Sequence, residues 1–213
     1  MGQETPRPPS RSLLARPFGA TLYAIAFLVV AAAALSALRT AHADRMSLAT
    51  GRAEWIWYSS GTEKPRPLRF FATREFLLPG PPTRATAKVF VDRDHTLFVN
   101  GGRVGGGSQR PGDPLRLYGL VPFLREGANR IVIEASSPSG VGGILFSLDC
   151  DAYGRDALVS DGRWRVDLSP LAETAGGRYR PMVWGRPPQP PWGYPRMPRP
   201  EELAGSRSPG PGS

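Results

Sequence analysis

Cysteine is nearly absent from this chain. Cys150 is the only one in 213 residues, so no disulfide within the chain can define the fold. It lies in the apolar run 144–150 and reads as a small buried hydrophobe. Histidine is almost as scarce: His42 and His95 are the only two. His95 stands beside Asp92 and Asp94, but no further histidine, cysteine or carboxylate completes a defined metal site there, and no metal is expected. No G-x-S-x-G, P-loop, G-x-G-x-x-G or H-E-x-x-H motif occurs. The nucleophile elbow, the phosphate cradle, the dinucleotide turn and the zincin helix therefore have no support. Beyond residue 44 no stretch reads as a long amphipathic helix, and long uncharged runs are limited to one.

The charge is uneven. The formal net charge is +9, yet the segment 44–177 is almost neutral and the two ends carry the excess. A nucleic-acid-binding domain concentrates positive charge on a folded face, so no nucleic-acid partner is expected. Basic ends beside a membrane would meet anionic lipid.

The one uncharged run is Phe18 to Leu38. As a helix it is about 31 Å long, which matches a hydrocarbon core of roughly 30 Å. Arg7, Arg11 and Arg16 precede it, so the N-terminus is read as cytoplasmic and the rest as translocated. Ala41-His42-Ala43 fits a signal-peptide cleavage site, but the apolar run is long for a signal peptide, and an uncleaved anchor is the favoured reading. Residues 1–17, rich in proline and arginine, are expected to be disordered, with a linker over 39–52.

From Trp55 to Leu168 the pattern is β. Strands are expected at 55–58, 70–78, 85–92, 96–100, 130–136, 142–151, 158–159 and 164–168. Val89 and Val91 share a face, as do Leu97 and Val99, with a polar turn over 92–95 between the two strands. Asn100-Gly101 suits a tight hairpin, because both residues tolerate positive φ. Gly105–Gly107 and Pro111–Pro114 read as a flexible crossing loop, and 121–124 as a single helical turn. Short strands broken by Gly/Pro turns make this an all-β sandwich or barrel. From Arg180 onward proline and glycine dominate. The stretch 186–195 cannot join a sheet interior and is expected to cross the surface up to Trp192, and 195–213 should be disordered.

The order of landmarks is more specific. Trp55-Ile-Trp57 is followed by Phe71-Ala-Thr-Arg-Glu-Phe76. Next come Leu97-Phe-Val-Asn-Gly101, Leu124-Arg-Glu-Gly-Ala-Asn-Arg-Ile131 and Asp161-Gly-Arg-Trp-Arg-Val166. This series, over residues 53–194, resembles the galactose-binding-like jelly-roll β-sandwich modules of glycoside hydrolases, the rhamnosidase and β-galactosidase/β-glucuronidase accessory domains in particular. The resemblance implies a non-catalytic carbohydrate-binding or scaffold module. In those enzymes a catalytic domain follows, and none is expected here. No catalytic residue and no cofactor are assigned. Asp149 and Asp151, paired on one strand, read as the strand's exit to solvent and not as an acid/base pair. Loop position nominates Asp92, Arg93, His95, Asn100, Arg103 and Trp192 as sugar-binding candidates. The expectation is a single-pass protein of a bacterial membrane with its domain on the exported side. Its partner would be a carbohydrate or, in a second reading, a protein of an envelope complex.

Overall fold

The structure is a computed structural model describing residues 15–47, 49–58, 66–169 and 179–205. The chain divides into two compact units, Met1–Asp44 and Arg45–Ser213.

The first unit is built on helix α1, Ala15–Ser47. It contains the uncharged run. Side-chain surroundings are described for residues 22–38, and all are exposed, Leu22 and Phe27 at 66% and 73% among them. Among the described residues no helix is long and apolar enough to cross a membrane. Of the stretch 1–17, expected to be disordered, residues 15–17 open this helix, and 1–14 lie outside the described residues.

The second unit is all β, two antiparallel sheets face to face. Its strands are β1 Trp55–Trp57, β2 Leu68–Leu78, β3 Ala85–Val91, β4 Arg93–Val99, β5 Gly102–Gln109 and β6 Arg116–Gly119. A 3-10 turn, Val121–Phe123, precedes β7 Gly127–Ser137, β8 Ile144–Cys150, β9 Gly154–Val159, β10 Arg165–Asp167 and β11 Met182–Gly185. The first sheet runs β11-β1-β8-β3-β6, with β9 also on β8; the second runs β10-β2-β7-β4-β5.

Alternation decides which side chains meet between the sheets. In β7, Ile131, Ile133 and Ala135 are fully buried; Val89, Val91, Leu97, Val99, Ile144, Phe146 and Leu148 join them. Trp57 and Trp164 are sealed in the same core, and each indole N–H donates to a carbonyl, of Gly140 and Val159. Cys150 is buried and free, as its apolar run implied.

The first sheet is apolar on its outer face as well. Trp55, Phe90 and Leu145 point there, with Ala53, Leu115 and Val159 around them. Proline-rich chain crosses this face and drops Trp192 onto it, 8% exposed and stacked on Trp55 at 4.6 Å. The crossing after Arg180 is thus seen, with one addition: Met182–Gly185 is an edge strand paired with β1. The segment expected to be disordered from 195 is bound as far as the short helix α2, Pro200–Gly205. Leu115 N–H donates to the Arg196 carbonyl, and Arg196 pairs with Glu202 at 2.9 Å. Residues 206–213 lie outside the described residues.

Two expectations are corrected. β3 and β4 do not pair; Asp92 is a corner at which the chain leaves one sheet for the other, with Arg93 at φ 98°. The period of two was the same on both sides of the corner, so the pattern could not separate a hairpin from a sheet switch. The glycine-rich run 102–109 is no loop; it is edge strand β5, joined to β4 by the Asn100-Gly101 hairpin with both residues at positive φ, 51° and 82°.

Candidate functional site

The six residues nominated from loop position fall in three places. Asp92 and Trp192 belong to the covered outer face. The Trp192 indole N–H donates to Asp92 Oδ2 at 2.8 Å, and both residues are buried. Arg93 sits beside them, its Nε 3.7 Å from Asp92 Oδ1. This pair fastens the proline-rich chain to the corner.

Asn100 lies at the other end of β4 and holds the 3-10 turn to β7. Its Nδ2 donates to the Phe123 carbonyl and to Asn129 Oδ1, and its Oδ1 accepts from Arg130 N–H at 2.9 Å. Its side-chain hydrogen-bonding capacity is used within the fold.

His95 and Arg103 meet at the third place. The edge strands β5 and β6 belong to different sheets and lie along the same side of the sandwich. Between them runs a groove of about 870 Å³, lined by Arg103, Asp113, Arg116, Tyr118, Glu202 and Leu203, among others. That volume falls in the range of small-molecule sites. The segment around α2 forms one wall.

Three glycines shape its floor. A β-carbon on Gly105 would stand 2.6 Å from the Tyr118 ring, one on Gly106 2.4 Å from the His95 carbonyl oxygen, and one on Gly107 2.6 Å from the Arg116 guanidinium carbon. Gly107 is also at φ 157°. At Gly105 and Gly107, side chains of β6 therefore lie against bare backbone of β5, while at Gly106 it is the β4 backbone that comes close. The run that looked like a flexible loop is the close-packed floor of a groove.

Below the floor, His95 Nε2 and the Tyr118 hydroxyl are hydrogen-bonded at 2.9 Å. Burial, aided by the Arg116 charge, pushes the His95 pKa down to about 4, so the imidazole is neutral at physiological pH. Burial pushes the Tyr118 phenol up, with Arg116 and Arg103 pulling the other way. The hydroxyl stays protonated and is held in place.

On the walls, Glu202 is held down to about 2 by the Arg196 guanidinium, with the Arg199 N–H assisting. Arg116 Nη2 donates to the Ser108 carbonyl at 3.2 Å, and its Nε is buried without a hydrogen-bond partner. Neither Arg103 nor Arg116 makes an ion pair among the described residues. The groove thus presents a held aromatic ring and two guanidinium groups that make no ion pair among the described residues, above a neutral buried imidazole. Among the described residues no three metal-ligating side chains converge here.

Two smaller depressions exist. One of about 550 Å³ on the outer face of the first sheet surrounds Lys88, paired with Asp149 at 2.9 Å, and Asp151. Asp151 accepts from the Thr83 hydroxyl and the Arg84 N–H, and these bonds hold its carboxyl below the usual range. Here Asp149 and Asp151 have structural partners, in line with the strand-exit reading. The other, about 400 Å³, lies over Asn100, Asn129 and exposed Leu77.

Of the groove residues, Arg116, Tyr118 and Glu202 were not foreseen. β6 is four residues long and carries no alternation, and α2 lies in a stretch that composition marks as tail. One usable signal was present: consecutive glycines inside a β pattern mark a close approach of other groups to the backbone.

No family model and no curated protein matches this chain. Solved structures do. An α-L-rhamnosidase from Streptomyces avermitilis, complexed with L-rhamnose, superposes with a TM-score of 0.59 at 20% identity over 68% of this chain and 16% of that one. A lectin from Pleurotus ostreatus in complex with GalNAc gives 0.56 at 21% identity over 69% of this chain and 47% of that one. This chain therefore spans under half the length of either. At this identity the likeness establishes the fold, which is a galactose-binding-like β-sandwich. The likeness covers part of each of those chains and agrees with the jelly-roll β-sandwich that the order of sequence landmarks implied.

Proposed function

We propose that this protein is a non-catalytic carbohydrate-binding module, tethered to a bacterial membrane with its sandwich on the exported side, and that the β5–β6 groove is its binding site. The observation carrying this reading is the groove itself: the Tyr118 ring pinned by glycines and a histidine, flanked by two arginines without carboxylate partners. An aromatic face takes the apolar face of a sugar ring, while guanidinium and hydroxyl groups take its oxygens. The fold shared with a lectin complexed with GalNAc and a rhamnosidase complexed with L-rhamnose supports the reading. The anchor is argued from Phe18–Leu38, which carries no charge, and from the exposure of every described side chain in 22–38.

A glycan array probed with the full chain tests the binding. Binding that Tyr118→Ala abolishes while the fold persists supports the groove. Binding untouched by that variant moves the site elsewhere on the sandwich. No binding to any glycan would leave a scaffold. The exposed apolar side chains on α1 favour a second reading, a protein-interaction subunit of an envelope complex, and co-purification of a stoichiometric partner through α1 would establish it.

A further inference from the structure

We propose that the groove selects an anionic saccharide, a sugar bearing a carboxylate, with Arg103 and Arg116 as its anion-binding pair and Tyr118 as the surface for its ring. This inference rests on the carbohydrate reading above and narrows the ligand class.

The groove carries charges of both signs, but they are not equivalent. Its carboxylates are engaged: Asp113 Oδ2 accepts from Arg110 N–H at 2.8 Å, and Glu202 takes both Arg196 nitrogens at 2.9 Å and Arg199 N–H at 2.7 Å. Its arginines have capacity to spare. Arg116 uses one N–H on a carbonyl and buries its Nε unpartnered. Arg103 has no ion-pair partner among the described residues. A buried donor without an acceptor is costly, and a ligand that supplied one would recover that cost.

Position matters as much as charge. The Arg116 guanidinium lies against Gly107, where even a β-carbon would come within 2.6 Å of it. A side chain held in this way loses little freedom on binding. Both arginine charges act on the Tyr118 phenol, so both lie within electrostatic reach of one hydroxyl. A planar fork of donors matches a carboxylate bidentately, and a neutral hydroxyl cannot satisfy it in the same way. The buried imidazole is uncharged and adds no charge beneath the floor.

The test is titration calorimetry on the full chain, in a zwitterionic detergent without a sugar headgroup. Four probes are used: oligosaccharides of galacturonate, glucuronate and mannuronate; their methyl esters; neutral galactose, GalNAc and L-rhamnose; and inorganic sulfate. At least one uronate is expected to bind about tenfold or more tightly than its own ester, the scale of one charge-assisted hydrogen bond. Arg103→Gln and Arg116→Gln should each bring acid and ester to the same affinity, leaving the ester's affinity in place. If Arg116→Gln melts early, Arg116→Lys and the exposed-site variant Arg103→Gln carry the test. Equal affinity for acid and ester, or binding of neutral sugars alone, would overturn the anionic selection and leave the carbohydrate reading standing. No binding of any saccharide would overturn both. Sulfate bound as tightly as the uronates would show an anion site indifferent to the sugar, and that too would sink the proposal.

Discussion

Trp192 acts from inside the fold. Its ring covers Trp55, and its N–H answers a carboxylate at the sheet corner, Asp92, that is itself buried. Truncation to alanine removes the stack, opens a cavity and leaves Asp92 Oδ2 without its indole donor. We expect Trp192→Ala to cost about 3–5 kcal/mol, read as a loss in the denaturation midpoint. A loss of glycan binding in that variant would therefore report unfolding. His95 makes a second prediction. Its folded pKa, about 4, lies below the usual unfolded value near 6.5, because burial and Arg116 disfavour the imidazolium. The unfolded state therefore binds the proton first. The stability contributed by neutral His95 is complete above pH 6.5 and declines as pH falls toward 4, by about 3 kcal/mol in all. The charge of Asp94 opposes the shift. Denaturant melts from pH 7 to 4 should show that slope, and a folded His95→Gln variant should lack it.

At the scale of elements, β5 is the sensitive piece. Gly106 faces the His95 carbonyl so closely that a methyl group cannot enter without moving backbone. Gly106→Ala should lower the melting temperature and weaken ligand binding together, whereas Gly80→Ala, where the added carbon meets nothing, should do neither. The same strand marks where sequence reasoning stopped. Ile131, Ile133 and Ala135 announced β7 because side-chain alternation and burial coincide there. The Asn100-Gly101 turn was legible because two adjacent positive-φ residues admit few alternatives. β5 has little side chain to alternate, so its pattern was that of a loop. The corner at Asp92 was hidden for a different reason: a chain that changes sheet keeps its period and changes only its partner. Of the candidate site, His95 and Arg103 were found from position. Tyr118 and Arg116 were missed because they come from a neighbouring sheet's edge, a juxtaposition no local pattern encodes.

At the scale of the molecule, the two units divide the work proposed for them. If the run 18–38 anchors the chain, full-length protein should resist alkaline extraction from membranes, and a chain beginning at Ala43 should be released. Partition of both forms into the soluble fraction would remove the anchor from the reading and leave the sandwich as it stands. The fold of that unit does not depend on the outcome, since the buried residues of both its apolar clusters all lie between Ala53 and Trp192.

The seam between β1 and β11 has a consequence in time. Trp55 pairs with Gly185, so the first and last strands of the sandwich are neighbours. A ribosome delivers them some 130 residues apart. At about 5–20 residues per second, Trp55, Phe90 and Leu145 exist for several seconds before Trp192 arrives to cover them. The nascent domain therefore carries a greasy outer face until Trp192 has emerged to cover it.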